Sequence, residues 1–129
     1  MFVPDYTQYP TCNVTEESAR FVWEQIIPAI QEPKLGLVMN CKVGISGYWC
    51  ESLVYVGIID GVFHMTIINN EEKREKHHQS FRYRGEEPLF NFLTLASNVR
   101  DCTILDVLTP ENWGTVMAKF NNYIETGVY

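Results

Sequence analysis

Two short turns in the middle of the chain restrict its fold more than any other feature. Three runs rich in β-branched and aromatic residues, 37–45, 48–59 and 62–68, are separated only by Ser46-Gly47 and Asp60-Gly61. An Asp-Gly pair between two such runs favours a type I′ hairpin turn, because both central positions of that turn need positive φ. The middle of the chain is therefore predicted to form an antiparallel β-meander.

The first helix is predicted over residues 14–31, where apolar residues recur three and four positions apart. Asn13, with Glu16 three residues later, resembles a capping box at its start. Pro28 lies inside the segment and is expected to kink or end the helix near Ile27, because proline lacks an N–H group and its ring clashes with the preceding turn.

Two further helices are predicted in the second half of the chain. One begins at Glu86-Glu87-Pro88 and is apolar on most sides, so it is expected either to be buried or to present a surface to a partner. The other begins with Thr109 as N-cap and Pro110 in its first turn, and Gly127 is expected to close it.

Alternating runs at 80–84 and 102–108 add a fourth and a fifth strand. The predicted order is therefore α-β-β-β-β-α-β-α. This is an α+β fold, in which an antiparallel β-meander of four to five strands packs against three helices. No linker or internal repeat interrupts the chain, which indicates one globular domain over residues 1–129.

Charge and composition narrow the classes of partner. The net charge of −6 argues against nucleic acid, whose phosphates need a concentrated positive surface, and it is compatible with a basic protein partner. Because 46% of the residues are apolar, the chain should fold without a metal, a disulfide or another cofactor.

Several features predict a cytoplasmic protein with no membrane partner. The first ten residues, MFVPDYTQYP, lack the basic and apolar regions of a signal peptide, and no segment approaches the ~20 apolar residues that span a bilayer. The four cysteines, Cys12, Cys41, Cys50 and Cys102, form no CxxC pair, so reduced thiols are expected.

Catalytic and metal-binding motifs are missing from the sequence. It contains no GxSxG, P-loop or GxGxxG string, so a binding protein is more expected than an enzyme. His77 and His78 are adjacent and would point apart, and no ligand pair has the spacing of a zinc site. No metal site is predicted.

The most polar segment, EEKREKHH at 71–78, is predicted to be a loop that projects from the sheet, with positive and negative charges that cancel. Candidate contacts with a partner lie at its end and just beyond it, because arginine and aromatic residues dominate interface energies. These candidates are His77, His78, Phe81, Arg82, Tyr83 and Arg84.

The segment GISGYW at 44–49 allows two interpretations. Its glycines could make room for the packing of neighbouring rings, or they could open a pocket for a ligand. If a small ligand binds, the predicted pocket walls are Tyr48, Trp49, His64 and Thr66.

Three hypotheses about function follow. Size, acidity and fold class favour a protein-binding inhibitor or neutraliser, comparable to immunity proteins and phage-encoded anti-defence proteins. The element order also resembles that of the class I type III secretion chaperones, which implies a homodimer formed through a helix and a strand of the second half. The third hypothesis is a protein that binds or hydrolyses a nucleotide-like small molecule, using Tyr48, Trp49 and His64.

Overall fold

The chain forms one antiparallel sheet with helices packed on both of its faces. The computed structural model describes residues 14–31, 33–45, 48–59, 62–69, 78–84 and 88–129. The strands are β1 (Gly36–Ile45), β2 (Tyr48–Ile59), β3 (Val62–Asn69), β4 (His78–Arg84) and β5 (Val99–Leu108). Their order across the sheet is β4-β3-β2-β1-β5, and every neighbouring pair is antiparallel. The predicted α+β fold and its element order are confirmed.

The helical segments fall before β1, before β5 and after β5. The first consists of α1 (Glu16–Phe21), a π-helical turn (Val22–Ile26) and α2 (Ile27–Ala29), which follow one another without a break. The second is α3 (Pro88–Asn98), and the third is α4 (Trp113–Thr126). Within the described residues, none of these helices combines the length and the apolar character needed to cross a membrane.

The two meander connections have the predicted length. Ile45 pairs with Tyr48, and Ile59 pairs with Val62, so each connection contains two residues. The turn residues at 46–47 and 60–61 lie outside the described residues, as does the charged segment at 71–77. The register of the flanking strands is sufficient to establish the β-meander.

The first helix differs from the prediction at its start and in the turn before Pro28. Its N-cap is Thr15, whose Oγ1 accepts a hydrogen bond from the Ser18 N–H at 3.1 Å, while the Ser18 Oγ accepts one from the Thr15 N–H at 3.1 Å. The predicted cap, Asn13, lies outside the described residues. Pro28 was expected to kink or end the helix near Ile27; the helix continues through Pro28 and ends at Ala29. A π-helical turn closed by a bond from the Ile27 N–H to the Val22 carbonyl precedes Pro28, and this wider turn accommodates a residue that cannot donate.

The boundaries of the later elements also shift. Val99, expected at the end of a helix, begins β5 instead, because a fully buried valine suits either structure. Thr109 and Pro110 form a turn, and α4 begins only at Trp113 after the N-cap residue Asn112. Gly127 closes α4 with φ of 75°, as predicted.

Two hydrophobic cores lie on opposite faces of the sheet, because successive strand residues point to opposite sides. The α1–α3 core joins the first two helical segments to one face; its buried members include Trp23, Ile26, Met39, Val54, Met65, Ile67 and Leu93. The α4 core lies on the other face; its buried members are Val38, Leu53, Tyr55, Ile68, Leu108, Val116, Phe120 and Tyr123. The helix α3 was expected either to be buried or to present a surface to a partner. Its residues Leu93, Leu95 and Ala96 are buried.

Candidate partner-binding surface

One end of the sheet face that carries α4 remains accessible, and Trp49 lies there. In the strand register Trp49 pairs with Gly44, while Lys42 pairs with Glu51 on one side and with Arg100 on the other. These positions therefore share one face of the sheet. The Trp49 surface is defined here as Lys42, Gly44, Trp49, Glu51, Arg100 and the adjacent Asp101. Trp49 itself is 44% exposed, which is unusual for the largest apolar side chain.

Two contacts fix the Trp49 ring without burying it. A methyl group placed on Gly44 would lie 3.5 Å from two carbon atoms of the ring, so the indole lies directly over the glycine. The guanidinium carbon of Arg100 lies 4.8 Å from the ring centre, in the geometry of a cation–π contact. Gly44 thus makes room for the ring of Trp49. This agrees with the first interpretation of the GISGYW segment, in which the glycines allow neighbouring rings to pack.

Arg100 is itself held by the end of α3. Its Nη1 donates hydrogen bonds to the carbonyl oxygens of Ala96 at 2.9 Å and Val99 at 2.7 Å. A cation at a helix C-terminus is stabilised by the negative end of the helix dipole. Arg100 therefore connects the last turn of α3 to the Trp49 ring.

Charges of both signs surround the ring. Lys42 Nζ lies 3.3 Å from Asp101 Oδ2, and since both side chains are largely exposed this pair contributes at most about 1 kcal/mol to stability. Glu51 is exposed and reaches towards α4: burial raises the pKa of Tyr123, and the negative charge of Glu51 raises it further. The Trp49 surface thus has an aromatic centre and a mixed charged rim.

β5 forms an edge of the sheet beside this surface, and two irregularities alter its course. The register with β1 shifts between Val38 and Met39, and again between Asn40 and Lys42. At the second shift Asp101 adopts φ of 52°, a left-handed conformation that aspartate tolerates better than most residues. Such bulges twist an edge strand and discourage pairing with another chain. Side chains, rather than the free strand edge, are therefore the accessible recognition groups here.

The residues predicted to line a small-ligand pocket do not converge. Tyr48 and Trp49 lie at the β1–β2 turn, whereas His64 pairs with Gly57 and Thr66 pairs with Tyr55. Trp49 and Gly57 are eight positions apart on β2, about 26 Å at the usual rise of roughly 3.3 Å per residue. One small ligand cannot contact both Trp49 and His64.

The residues predicted to contact a partner lie on β4, the opposite edge strand. The backbone of Arg82 pairs with His64, and those of Phe81 and Tyr83 pair with Met65 and Phe63. His78 pairs with Ile68, four positions from His64 on β3, and His77 lies outside the described residues. Among the residues that the structure covers, no group of three or more histidine, cysteine or acidic side chains could hold a metal ion.

A cavity of about 120 Å³ lies between α1 and β5. It is lined by Thr15, Glu17, Ser18, Phe21, Val99, Arg100, Asp101 and Cys102. Pockets for drug-sized ligands usually measure roughly 300–1,000 Å³, so this cavity suits a few waters or a molecule of a few heavy atoms. It gives solvent access to Cys102 beside the Trp49 surface.

Sequence reasoning identified Trp49 but missed Lys42, Arg100 and Asp101. Lys42 lies beside Trp49 through the β1–β2 hairpin, but no local signal marks it as a site residue. Arg100 and Asp101 reach Trp49 only through the pairing of β1 with β5, whose partners lie about sixty positions apart in the chain. No protein-family model, curated protein or solved structure matches this chain. Function is therefore inferred from the geometry of the surface.

Proposed function

We propose that the protein binds another protein in the cytoplasm and blocks part of that partner's surface, as an inhibitor or neutraliser does. The observation that carries this proposal is the state of Trp49, which is 44% exposed and yet held in place by Gly44 and Arg100. An exposed aromatic ring held in one orientation is ready to enter a pocket on a partner.

The energetics of interfaces support this role. Tryptophan and arginine are the residues most often found to dominate binding free energy. Covering the accessible part of the Trp49 side chain, about 100 Å² of apolar surface, would contribute roughly 2–3 kcal/mol. Because Gly44 and Arg100 already fix the ring, little side-chain entropy is lost on binding.

The charged rim supplies specificity and orientation. Lys42, Glu51 and Asp101 surround the aromatic centre, and charged rims around apolar centres are common in protein interfaces. Glu17 lines the neighbouring cavity and adds a further negative charge. With a net charge of −6 for the chain, the preferred partner is a protein with a basic face, which would be attracted at long range.

The perturbed tyrosines and the aspartate that pack around α4 have structural rather than catalytic roles. A general acid or base is expected to combine a shifted pKa with a position in a cleft. Here burial raises the pKa of Tyr55 beneath α4, and the shifts at Asp106 and Tyr129 accompany hydrogen bonds between α4, β5 and the last residue. These are structural contacts, and none lines the cavity between α1 and β5.

The test is capture of a partner by the immobilised chain from a lysate of cells that carry the gene, followed by mass spectrometry. Trp49→Ala is expected to lose the partner, because the central aromatic contact is removed. Leu105→Ala is the matched control, since Leu105 is a large apolar side chain of similar exposure, 40%, on β5. It is expected to retain the partner.

Both variants should keep the circular dichroism spectrum and melting temperature of the parent, which separates loss of binding from loss of folding. The captured protein is then purified, and its activity is measured with and without the chain. A partner retained equally by Trp49→Ala would refute the role of this surface. Binding that leaves the partner's activity unchanged would refute inhibition, and a dimer dissociated by Trp49→Ala would show that the surface binds a second copy instead.

A further inference from the structure

Cys41 on β1 and Cys102 on β5 meet across the irregular part of the strand pair. Asn40 pairs with Thr103 and Lys42 pairs with Arg100, so Cys41 faces the bulge that contains Asp101 and Cys102. Both cysteines are free thiols. Cys41 belongs to the α1–α3 core, and Cys102 packs against that core.

The strand geometry suits a covalent link between them. Residues that face each other in antiparallel strands have Cα atoms about 4.5–5.5 Å apart, within the range of about 4.4–6.8 Å found for disulfides.

The two thiols differ in their access to solvent. Cys41 is 3% exposed, whereas Cys102 is half-buried and lines the cavity between α1 and β5. The hydrogen bond to Cys102 raises the pKa of Cys41 well above its usual range, and burial and the charge of an ionised Cys102 raise it further. Because Cys102 lines the cavity and Cys41 is buried, Cys102 is the sulfur that a small oxidant reaches first.

The geometry points to a redox-active thiol pair, in which Cys102 reacts with a peroxide and Cys41 then closes a reversible disulfide between β5 and β1. In the first step the Cys102 thiolate attacks one oxygen of hydrogen peroxide, the O–O bond breaks, and the departing hydroxide takes up a proton to form water. In the second step the Cys41 sulfur attacks the resulting sulfenic acid, an S–S bond forms, and the S–O bond breaks. The proton of Cys41 leaves with the hydroxyl group as a second water, so two thiols and one peroxide give one disulfide and two waters.

This inference is independent of the proposed partner, because it concerns two thiols that lie behind the Trp49 surface. Its competitor within the chain is Cys50, which is half-buried on β2 and pairs with Val43, two positions from Cys41 on β1. Cys12 lies outside the described residues and is the other possible reactant. The experiment must therefore identify which two cysteines are linked.

The reduced full-length chain is treated with hydrogen peroxide, remaining thiols are alkylated, and a non-reducing digest is analysed by mass spectrometry. The expected product is a peptide pair linked through Cys41 and Cys102 that disappears on treatment with dithiothreitol. Cys102→Ser is expected to abolish this link, whereas the matched variants Cys50→Ser and Cys12→Ser are expected to retain it.

A second measurement needs no substitution in the core. Brief alkylation of the folded, reduced protein is expected to label Cys102 before Cys41, because only Cys102 is open to the cavity. The proposal is overturned if peroxide gives a link through Cys50 or Cys12 instead. It is also overturned if Cys102 is oxidised to sulfinic acid while Cys41 stays a free thiol, or if Cys41 is alkylated first.

Discussion

Gly57 is the residue at which a single methyl group has the clearest consequence. A Cβ there would lie 2.6 Å from the Leu35 carbonyl oxygen and would collide with the Tyr55 hydroxyl, which donates a hydrogen bond to that same oxygen at 3.1 Å. Gly57→Ala must therefore displace a buried tyrosine or separate β2 from residue 35. We expect a loss of about 1–3 kcal/mol in the free energy of unfolding, measured with urea.

Gly114 provides the matched control for that substitution. Apart from its chain neighbours and the backbone of its own helix, no heavy atom lies within 4 Å of a Cβ built at Gly114, which belongs to the first turn of α4. Alanine has the higher helix propensity, so Gly114→Ala should leave stability unchanged or increase it by up to about 1 kcal/mol. If both variants lost the same free energy of unfolding, the loss in Gly57→Ala could not be attributed to disruption of the hydrogen bond between Tyr55 and Leu35.

The lowered pKa of Asp106 predicts that stability depends on pH. Burial alone would raise the pKa of this carboxyl, but hydrogen bonds from Lys119 at 2.7 Å and Tyr129 at 2.5 Å, together with the charge of Lys119, lower it. Because the pKa is lower in the folded chain, the ionised carboxylate stabilises the fold above about pH 3.9, the value usual for an unfolded aspartate. That stabilisation is lost as the pH falls through the lowered folded pKa.

Asp106→Asn should therefore reduce the free energy of unfolding by about 1–2 kcal/mol at pH 7, and the difference from the parent should shrink steadily below pH 4. Urea unfolding at a series of pH values measures it. Asp101→Asn is the control, since the ion pair of Asp101 with Lys42 is exposed and is expected to change stability by less than about 1 kcal/mol. A pH-independent loss in Asp106→Asn would exclude the charge as its cause.

At the scale of single elements, the start of the first helix depends on Thr15. Its hydroxyl and that of Ser18 satisfy each other's backbone N–H groups, which would otherwise lack partners at a helix N-terminus. Thr15→Ala is expected to cost about 1 kcal/mol in thermal or urea unfolding, and Thr15→Ser, which keeps the hydroxyl, is expected to cost much less. Similar losses in the two variants would indicate that the methyl group, rather than the cap, stabilises this turn.

Element type could be predicted from the sequence where the local pattern was strong. Alternation and the Asp-Gly turn placed β1 to β3, and Gly127 placed the end of α4. Predicted helix boundaries were wrong where two local signals competed. At Thr109-Pro110 the Asn112 Oδ1 accepts a hydrogen bond from the Thr109 N–H at 2.7 Å, and the helix begins only after Asn112. The π-helical turn before Pro28 also escaped prediction, because only the packed structure decides between a kink, a stop and a wider turn.

At the scale of the whole molecule, the placement of β5 beside β1 assembles the candidate sites. It brings Arg100 over Trp49 and Cys102 beside Cys41, although the paired strands lie far apart in sequence. A meander pattern predicts neighbours along the chain, but it cannot tell which edge of the sheet a later strand joins. The site residues contributed by β5 were therefore beyond local sequence reasoning.

The same topology predicts that the two cores unfold together, since β1, β2 and β3 contribute alternate residues to both. Ile67 and Ile68 are adjacent on β3 and buried, yet Ile67 belongs to the α1–α3 core and Ile68 to the α4 core. Replacing either by valine should cost about 0.5–1.5 kcal/mol. In hydrogen exchange followed by mass spectrometry, each variant is expected to lower the protection of the slowest amides in both α1 and α4, by similar amounts.

The Ile67 and Ile68 substitutions control for each other, because they remove the same group from neighbouring positions of one strand and differ only in the face of the sheet. If Ile68→Val accelerated exchange in α4 and left α1 unchanged, α4 would be a separately unfolding unit. The Trp49 surface would then border a helix that opens on its own, and partner binding would be expected to slow exchange in α4. If protection falls in both helices, the sheet transmits a loss in one core to the other, and Trp49 is presented by a scaffold that opens only by global unfolding.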